Sequence, residues 1–269
     1  MSFSVLMSVY IKEKPEYLSE ALESVVNQSL VPGEIILMID GPVTKELSTV
    51  IDEYSKKYNF LKVCKLKQNM KLGRSLAEGL QLCNFDIVAR MDTDDISVPD
   101  RFKKEFNFLK QHPEISVVGG FIGEFRETLN QHKVKRMPVS IMEVKKYAKY
   151  RNPLNHMTVM FRKNAVLDAG NYRHFPFLED YDLWCRMMAK GEKLANIPEI
   201  LVYARTSKDL YARRGGYTYF KQYCKLRKNQ RKLGQLNLFE YCWSLIITFS
   251  ITMQPSFVRG WIYRILRRK

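Results

Sequence analysis

Paired cysteines are missing from this 269-residue sequence. Its five cysteines are scattered and odd in number, and no two of them form a CxxC pair. That spacing argues against a disulfide framework and a structural zinc site, and it favours a reducing compartment. The sequence also contains no internal repeat and no low-complexity segment. Its first residues carry no basic export signal, so we expect a cytoplasmic protein.

A continuous apolar run long enough to cross a membrane is also missing. The strongest candidate, residues 239–253, is only about 15 residues long, whereas a membrane-spanning helix needs roughly 20. We therefore expect an interfacial helix or a hydrophobic hairpin arm. Trp261, Tyr263 and the closing Arg267-Arg268-Lys269 suit a lipid headgroup region.

Acidic residues are scarce in the last quarter of the chain. The net charge is +16, and from Arg205 onward fifteen Lys or Arg residues face only two acids, Asp209 and Glu240. The first 204 residues are close to neutral. A tail this basic can bind nucleic acid, anionic lipid or a phosphorylated acceptor. The overall balance of 46% hydrophobic and 27% charged residues indicates a folded globular protein and excludes a disordered one.

The first 120 residues alternate between strand and helix patterns. Apolar runs predict strands at 4–10, 34–40, 61–66, 85–91 and 115–118. Helical spacing predicts helices from Pro15, over 44–58, over 73–83, and from near Pro99 with Ser97 as the cap. This order predicts an α/β fold, with a mainly parallel sheet flanked by helices and joined by right-handed crossovers.

The pattern is less regular after residue 120. A strand at 156–161, a short helix at 163–169 and a firmer helix at 179–190, ending at Gly191, are expected there. A basic helix follows at 217–233, and the apolar segment 239–253 comes after it.

Polar side chains stand where the predicted strands end. Tyr10, Asp40 and Asp92 each follow a different strand, and the loop 69–74 follows another. Ligands of parallel α/β sheets bind beyond the carboxyl ends of the strands. These separate stretches are therefore expected to line one cleft.

Two acidic clusters lie almost ninety positions apart: Asp92-Thr93-Asp94-Asp95 and Glu179-Asp180-Tyr181-Asp182. Crowded carboxylates repel one another and raise one another's pKa, so such clusters need a reason. The first cluster is either a solvated turn before a helix or a site for Mg²⁺ or Mn²⁺ that bridges substrate phosphates. The second is either a set of first-turn helix acids or the place of a general base that takes a proton from an acceptor hydroxyl.

Several other side chains leave two interpretations open. Asp40 either forms the turn before Gly41-Pro42 or accepts hydrogen bonds from a nucleobase or ribose. Tyr10 is either a core aromatic or a stacking platform, and His156 is either packed or catalytic. Arg205, Arg213 and Arg214 either clamp phosphates or form a solvated basic face.

The ordered motifs resemble those of family-2 inverting glycosyltransferases with a GT-A fold. The resemblance covers roughly residues 1–205 and rests on residues 4–10, Asp40-Gly41, Asp92-Thr93-Asp94-Asp95 and residues 179–184. Residues 24–28, Asp40-Gly41-Pro42 and Tyr203-Ala204-Arg205 resemble the branch that builds bacterial surface polysaccharides. The QxxRW signature of processive synthases is absent, which favours addition of a single sugar.

The resemblance implies a role for each matching position. Tyr10 and Asp40 would contact the uracil of a UDP-sugar, Asp92 would face the ribose, and Asp94, together with Asp92, would ligate Mn²⁺ or Mg²⁺. Asp95 would support that turn, and Glu13 would replace an asparagine that is usual in the first loop. Thr93, Lys71 and Arg74 would complete the donor site. Asp180 would be the base, with Glu179 beside it on the acceptor side.

The function implied is transfer of one hexose (glucose, galactose or an N-acetyl form) from a UDP-sugar to a saccharide acceptor linked to a polyprenyl diphosphate. Such a reaction belongs to O-antigen, capsule or exopolysaccharide synthesis. Residues 1–205 would form the catalytic domain, with a nucleotide-sugar half at 1–120 and an acceptor half at 121–205. Residues 206–269 would dock on the inner face of the bacterial inner membrane.

Two rival functions remain at this point. A nucleotidyltransferase acting on sugar phosphates also uses a parallel sheet and metal-binding carboxylates. A basic nucleic-acid-binding protein is the non-enzymatic alternative. The apolar runs within the tail speak against nucleic acid as a partner.

Overall fold

The computed structural model describes residues 2–206, 215–255, 258, 259 and 262. Within these residues, nine strands form one sheet in the order β3-β2-β1-β4-β8-β6-β9-β5, and β7 pairs with β6. The strands are β1 (Ser4–Val9), β2 (Glu34–Ile39), β3 (Leu61–Lys65), β4 (Ile87–Arg90), β5 (Ile96–Ser97), β6 (Ile115–Phe125), β7 (Lys133–Lys135), β8 (Met160–Arg162) and β9 (Lys193–Arg205).

Helices connect and cover these strands. They are α1 (Pro15–Val26), α2 (Lys45–Lys57), α3 (Leu72–Leu82), α4 (Arg101–Gln111), α5 (Ile141–Tyr147), α6 (Lys163–Asp168), α7 (Glu179–Ala189), α8 (Gly216–Lys232) and α9 (Leu238–Thr252). A short 3-10 turn spans His156–Thr158. The α/β fold with a mainly parallel sheet and a helical C-terminal region is confirmed.

The half of the sheet that comes first in the chain is parallel throughout. Strand β1 pairs in parallel with both β2 and β4, and β2 pairs in parallel with β3. Strand β8 then runs antiparallel between β4 and β6, and the long β6–β9 pair is parallel again. Strands covered on both faces read as continuous apolar runs, which is why β1 and β2 are recognisable from sequence.

The core lies on both faces of the sheet. In β1, Val5 and Met7 pack on the side of α1, α2 and α4, whereas Leu6 packs on the side of α3 and α7. This alternation follows from the period of two along a strand. Trp184 of α7 is fully buried in the second core, so the helix that begins at Glu179 is fixed to the sheet by its own apolar face.

Some predicted elements differ in the structure. Ser97 lies in β5 instead of capping α4, and its hydroxyl accepts a hydrogen bond from the Gln28 side chain at 3.2 Å. The expected strand at 156–161 begins with a 3-10 turn and is a strand only in β8. Strand β6 continues to Phe125, well past Val118, because β9 pairs along its length.

Strand β9 is absent from the sequence-based prediction because its apolar pattern is interrupted. Its pairing with β6 jumps from Ile197 to Ile200 where β6 advances by one residue. Pro198 and Glu199 are thus accommodated in a bulge, as is usual for proline in a sheet.

The helix that opens the basic tail packs directly on the body. The buried Arg227 guanidinium of α8 donates to the backbone oxygens of Lys149 at 2.7 Å and Tyr150 at 2.6 Å. Asn229 donates to the Asp182 carboxylate of α7 at 3.3 Å. In the described part of the chain, no helix combines the length and apolarity needed to span a membrane. Trp261, Tyr263 and residues 267–269 lie outside the described residues.

Candidate active site

Three predicted site residues meet at one edge of the sheet. Tyr10 follows β1, Asp40 follows β2 and Asp92 lies two residues beyond β4. Strand β1 pairs in parallel with both of the other strands, so their carboxyl ends lie side by side. Tyr10 is 39% exposed at this edge, whereas Asp40 is buried. The three strand ends therefore adjoin, as the predicted parallel sheet requires, and their role in a ligand site stays a prediction.

Asp40 holds the loop that leads into α3. Its carboxylate accepts a hydrogen bond from the Met70 N–H at 2.6 Å, and the Asn69 amide donates to its backbone oxygen at 3.2 Å. Gly41 has a φ of +85°, and a Cβ there would lie 2.5 Å from the Asn69 nitrogen. Only glycine fits this contact without strain. One carboxylate oxygen of Asp40 therefore stabilises the loop, in agreement with a structural role for this residue in a turn.

The far end of this loop carries two exposed cations. Lys71 is the residue before α3 and has a positive φ of 71°, a conformation that is uncommon for a residue with a side chain. Arg74 lies in the first turn of the helix, and both side chains are exposed. The loop thus presents positive charge next to the strand ends.

The turn after β4 is fixed by contacts on all sides. The Arg205 N–H donates to the Asp95 carboxylate at 2.8 Å, and the Arg205 side chain donates to the Asp94 backbone oxygen at 3.2 Å. The buried Thr93 hydroxyl donates to the Glu13 carboxylate at 2.8 Å. This hydrogen bond connects Glu13 to the acidic turn.

The first acidic cluster has the donor set of a divalent-cation site. Asp92, Asp94 and Asp95 each offer a carboxylate oxygen, and these oxygens lie within 4.8 Å of one another. Burial and the negative charges of Asp92 and Glu13 raise the pKa of Asp94 to about 7. Burial, Asp94 and Asp92 likewise raise the pKa of Asp95 above its ordinary value. The crowded carboxylates and the all-oxygen ligand set fit Mg²⁺ or Mn²⁺.

The second acidic cluster lies at the first turn of α7. The Asp180 carboxylate accepts hydrogen bonds from the Asn152 amide at 2.5 Å and from the Tyr181 N–H at 2.7 Å. Burial raises the pKa of Asp180, and these two hydrogen bonds act in the opposite direction. Burial, together with the Asp180 charge, raises the pKa of Glu179 to about 7.

A buried arginine lies near both clusters. Arg90, at the end of β4, is 1% exposed and donates to the Asp92 carboxylate. Its positive charge lowers the pKa of both Glu179 and Asp180, whereas Asp92 raises that of Glu179. Such effects decay with distance, so the guanidinium lies near both clusters. Its Nε and Nη1 atoms are buried and have no hydrogen-bond partner among the described residues.

A close backbone contact also links the two halves. Gly73, in the first turn of α3, leaves no room for a side chain. A Cβ there would lie 2.3 Å from the Arg173 backbone oxygen and 3.2 Å from the Glu179 Cβ. The start of α3 and the start of α7 are therefore in contact.

Arg90 and Asn152 do not appear among the residues expected from sequence. Arg90 reads as part of an apolar run, and the only hint was a charged residue in an otherwise buried strand next to an acidic turn. Asn152 lies in a loop and has no local pattern that marks it. Tertiary packing alone brings it to Asp180.

Contacts bear on two alternatives left open by the sequence. The Arg205 guanidinium pairs with Glu20, lies 3.9 Å from the Tyr17 ring centre and donates to the Asp94 backbone oxygen, so it supports the acidic turn. His156 is packed, with its Nε2 atom 3.0 Å from the Tyr172 hydroxyl. Burial and Arg90 hold the pKa of His156 well below its ordinary value. Arg213 and Arg214 lie outside the described residues.

The same fold occurs in a solved enzyme structure. Residues of this chain superpose on S. aureus TarS 1-349 in complex with UDP-GlcNAc with a TM-score of 0.66 and 18% sequence identity. The match covers 84% of this chain and 66% of that one. At this identity the comparison bears on the fold, which is that of the GT-A glycosyltransferases.

Two curated relatives align over nearly the whole length. The amylovoran biosynthesis glycosyltransferase AmsE of Erwinia amylovora is 38% identical, with 97% of both chains covered. The UDP-Gal:alpha-D-GlcNAc-diphosphoundecaprenol beta-1,3-galactosyltransferase of Escherichia coli is 34% identical, with 99% of this chain and 97% of the relative covered. Residues 4–174 match the sequence model of the family "Glycosyl transferase family 2". The chain belongs to this family.

Proposed function

We propose that the protein is an inverting glycosyltransferase that moves one hexose from a UDP-sugar to a saccharide acceptor linked to a lipid diphosphate, in the synthesis of a bacterial surface polysaccharide. The observation that carries the proposal is an acidic turn with the donor set of a divalent-cation site, together with a second acidic cluster within range of the same buried Arg90. The E. coli relative that uses UDP-Gal and a diphosphoundecaprenol-linked acceptor supports this choice of substrates.

The strand-end edge is the donor side. Tyr10 stacks on or borders the uracil, and Asp40 and Asp92 meet the nucleoside. Lys71 and Arg74 supply positive charge for the diphosphate at the start of α3. The exposed ring of Tyr10 and the fixed loop beyond Asp40 support these roles. Thr93 and Glu13 act together by fixing the turn.

Asp94 and Asp92 are the residues that would hold Mn²⁺ or Mg²⁺, with Asp95 behind them. When bound, the cation would act as a Lewis acid for the negative charge that develops on the departing diphosphate. Asp95 takes its position from the Arg205 N–H, so the turn is fixed whether or not a donor is present.

Asp180 is the proposed general base. It takes the proton of the acceptor hydroxyl as that oxygen attacks the anomeric carbon from the face opposite UDP. The bond from the anomeric carbon to the UDP oxygen breaks, UDP leaves with the electron pair, and the configuration inverts. The Asn152 hydrogen bond and the Arg90 charge favour the ionised carboxylate that this role requires, and Glu179 borders the acceptor.

Substitution of the base tests the proposal. Asp180→Asn should lower turnover by a factor on the order of 10²–10⁴, which is the usual contribution of a general base. UDP binding, measured by calorimetry, should stay near the wild-type value because Asp180 lies on the acceptor side. The assay screens UDP-sugars for UDP release with a synthetic lipid-diphosphate-linked sugar. Near wild-type turnover would remove Asp180 from this role, and release of diphosphate in place of UDP would indicate a nucleotidyltransferase.

The proposed division of the chain assigns the chemistry to residues 1–205 and membrane association to residues 206–269. The protein would then work at the cytoplasmic face of the inner membrane, where a lipid-linked acceptor is available. The contact of α8 with α7 supports this arrangement, because it fixes the start of the tail to the helix that carries Asp180.

A further inference from the structure

Helix α9 exposes an apolar face to solvent. Between Glu240 and Pro255 its sequence has no charged residue. One side of the helix carries large exposed side chains, with exposed fractions of 76% for Phe239, 50% for Trp243, 57% for Ile246 and 53% for Phe249. A helix that is apolar on all sides is ordinarily buried in a protein or a membrane. A surface of this kind marks an interaction site.

Three hydroxyl groups of α9 form hydrogen bonds within the helix. The hydroxyls of Ser244, Thr248 and Thr252 donate to backbone oxygens of their own helix at 2.7–2.8 Å. Phe249 lies at the border of this face and packs on α8, where the Phe220 and Phe249 ring centres are 5.3 Å apart. Ser244 and Thr252 are buried on the other side of the helix. The three bonded hydroxyls therefore lose no hydrogen bond when the helix leaves water.

A basic cavity adjoins the apolar face. It has a volume of about 520 Å³, lies where α8 meets α9, and is lined by Lys228, Arg231, Lys232, Leu236 and Tyr241. No acidic side chain lines it. Among the described residues, none of its three cations forms an ion pair, and the Arg231 guanidinium lies 5.8 Å from the Tyr241 ring centre. Three cations, a phenol and the aliphatic side chain of Leu236 suit a phosphate group that is attached to an acyl chain.

We infer that the apolar face of α9 and this cavity together bind the surface of an anionic phospholipid bilayer, with a lipid phosphate in the cavity and Phe239, Trp243 and Ile246 among the acyl chains. Charge complementarity decides the occupant: α8 carries six Lys or Arg residues and no acid, which attracts anionic lipid. Nucleic acid would match the charge but not the aromatic and aliphatic face.

The surface also fixes an orientation. Asn229 and Gln235, which lie among the cavity-lining residues in sequence, donate to Asp182 at 3.3 Å and to the Cys185 backbone oxygen at 2.7 Å, both on α7. Docking through α8 and α9 therefore sets the position of α7 relative to the bilayer. This consequence, which brings the acceptor side near the membrane, rests on the proposed function, whereas the lipid site itself does not.

Vesicle sedimentation with the full chain tests the inference. Wild-type protein should bind vesicles that contain phosphatidylglycerol and bind vesicles of phosphatidylcholine alone much more weakly. Lys228→Gln/Arg231→Gln/Lys232→Gln should weaken binding roughly 100-fold, since each basic residue near an anionic surface contributes about a factor of five. Trp243→Ser/Ile246→Ser should also weaken binding, on both kinds of vesicle.

Matched controls distinguish binding at this particular surface from a general effect of net charge or exposed apolar area. Lys45→Gln/Lys56→Gln/Lys110→Gln removes the same charge from exposed positions on α2 and α4. Val31→Ser/Leu82→Ser removes exposed apolar side chains elsewhere. Both controls should bind vesicles like the wild type. Equal losses in the test and control variants would overturn the inference.

Two further readouts complete the test. If ultracentrifugation shows a dimer that the Trp243→Ser/Ile246→Ser change dissociates, and vesicles do not bind, the face is an interface between copies and the lipid inference is wrong. UDP release with a short soluble acceptor should be unchanged in all four variants. Vesicle binding without any UDP release would leave the lipid site intact and contradict only the proposed function.

Discussion

The hydrogen bond between Asn152 and Asp180 offers a direct test of the proposed base. The Asn152 amide donates at 2.5 Å to one carboxylate oxygen, and this bond lowers a pKa that burial raises. Asn152→Ala removes the bond, so the pKa of Asp180 should rise. A general base must be ionised to act, and therefore the acid limb of the pH–activity profile should move to higher pH.

The size of the shift follows from the strength of the bond. A hydrogen bond to a charged group contributes about 1.5–3 kcal/mol, and the partial exposure of Asp180 favours the lower end. One pKa unit corresponds to about 1.36 kcal/mol, so we expect a shift of about one unit. Asn152→Asp, which places a second carboxylate against Asp180, should move the limb further in the same direction.

The measurement is kcat/KM for UDP release as a function of pH, because this quantity reports groups of the unliganded enzyme. Asn229→Ala is the matched control: it removes an amide donor to Asp182 on the same helix, 3.3 Å from a carboxylate that has no proposed catalytic role. Its acid limb should stay in place. If the limb does not move in Asn152→Ala, or moves equally in the control, Asp180 is not the group that titrates.

Two further predictions concern the donor side. Asp94→Asn should abolish measurable Mn²⁺ binding in calorimetry. Mn²⁺ affinity of the wild type should fall from pH 8 to pH 6, because a carboxyl with a pKa of about 7 must lose its proton to become a ligand; affinity that is independent of pH would contradict this. Gly41→Ala should weaken UDP binding, since its Cβ would meet the Asn69 nitrogen at 2.5 Å and displace the loop that Asp40 holds. Gly191→Ala is its control: it has a similar φ of +89° with nothing within 4 Å, so it should cost about 1 kcal/mol of stability and leave UDP binding unchanged.

The strand-end edge, which is the proposed donor side, is the part of the candidate site that sequence alone could place. Residues Tyr10, Asp40 and Asp92 follow strands that are buried on both faces, so their apolar runs are continuous and their ends are sharp. The geometry of a parallel sheet then dictates that the three ends adjoin. No knowledge of loops is needed for this step.

The acceptor side depends on contacts that have no local signature. Strand β8 inverts the direction of the sheet between β4 and β6, and the 3-10 turn before it replaces the expected start of a strand. Asn152 reaches Asp180 through the irregular segment ahead of that turn. Strand β9, with a bulge at Pro198, carries Arg205 back to the acidic turn from 110 positions away. Interrupted patterns and long-range pairings of this kind are set by tertiary packing.

The position of Arg90 explains how two acidic clusters can share one cleft. Burial of a guanidinium costs several kcal/mol unless opposite charge is close. Here Asp92 pairs with it, and the carboxylates of Asp95, Glu179 and Asp180 lie within range of its charge. The arginine in turn offsets the repulsion among these acids, which would otherwise hold more of them protonated at neutral pH. The negative charge of each cluster thus offsets part of the free-energy cost of burying Arg90. A charge at this position therefore couples the ionisation of the acceptor side to that of the donor side.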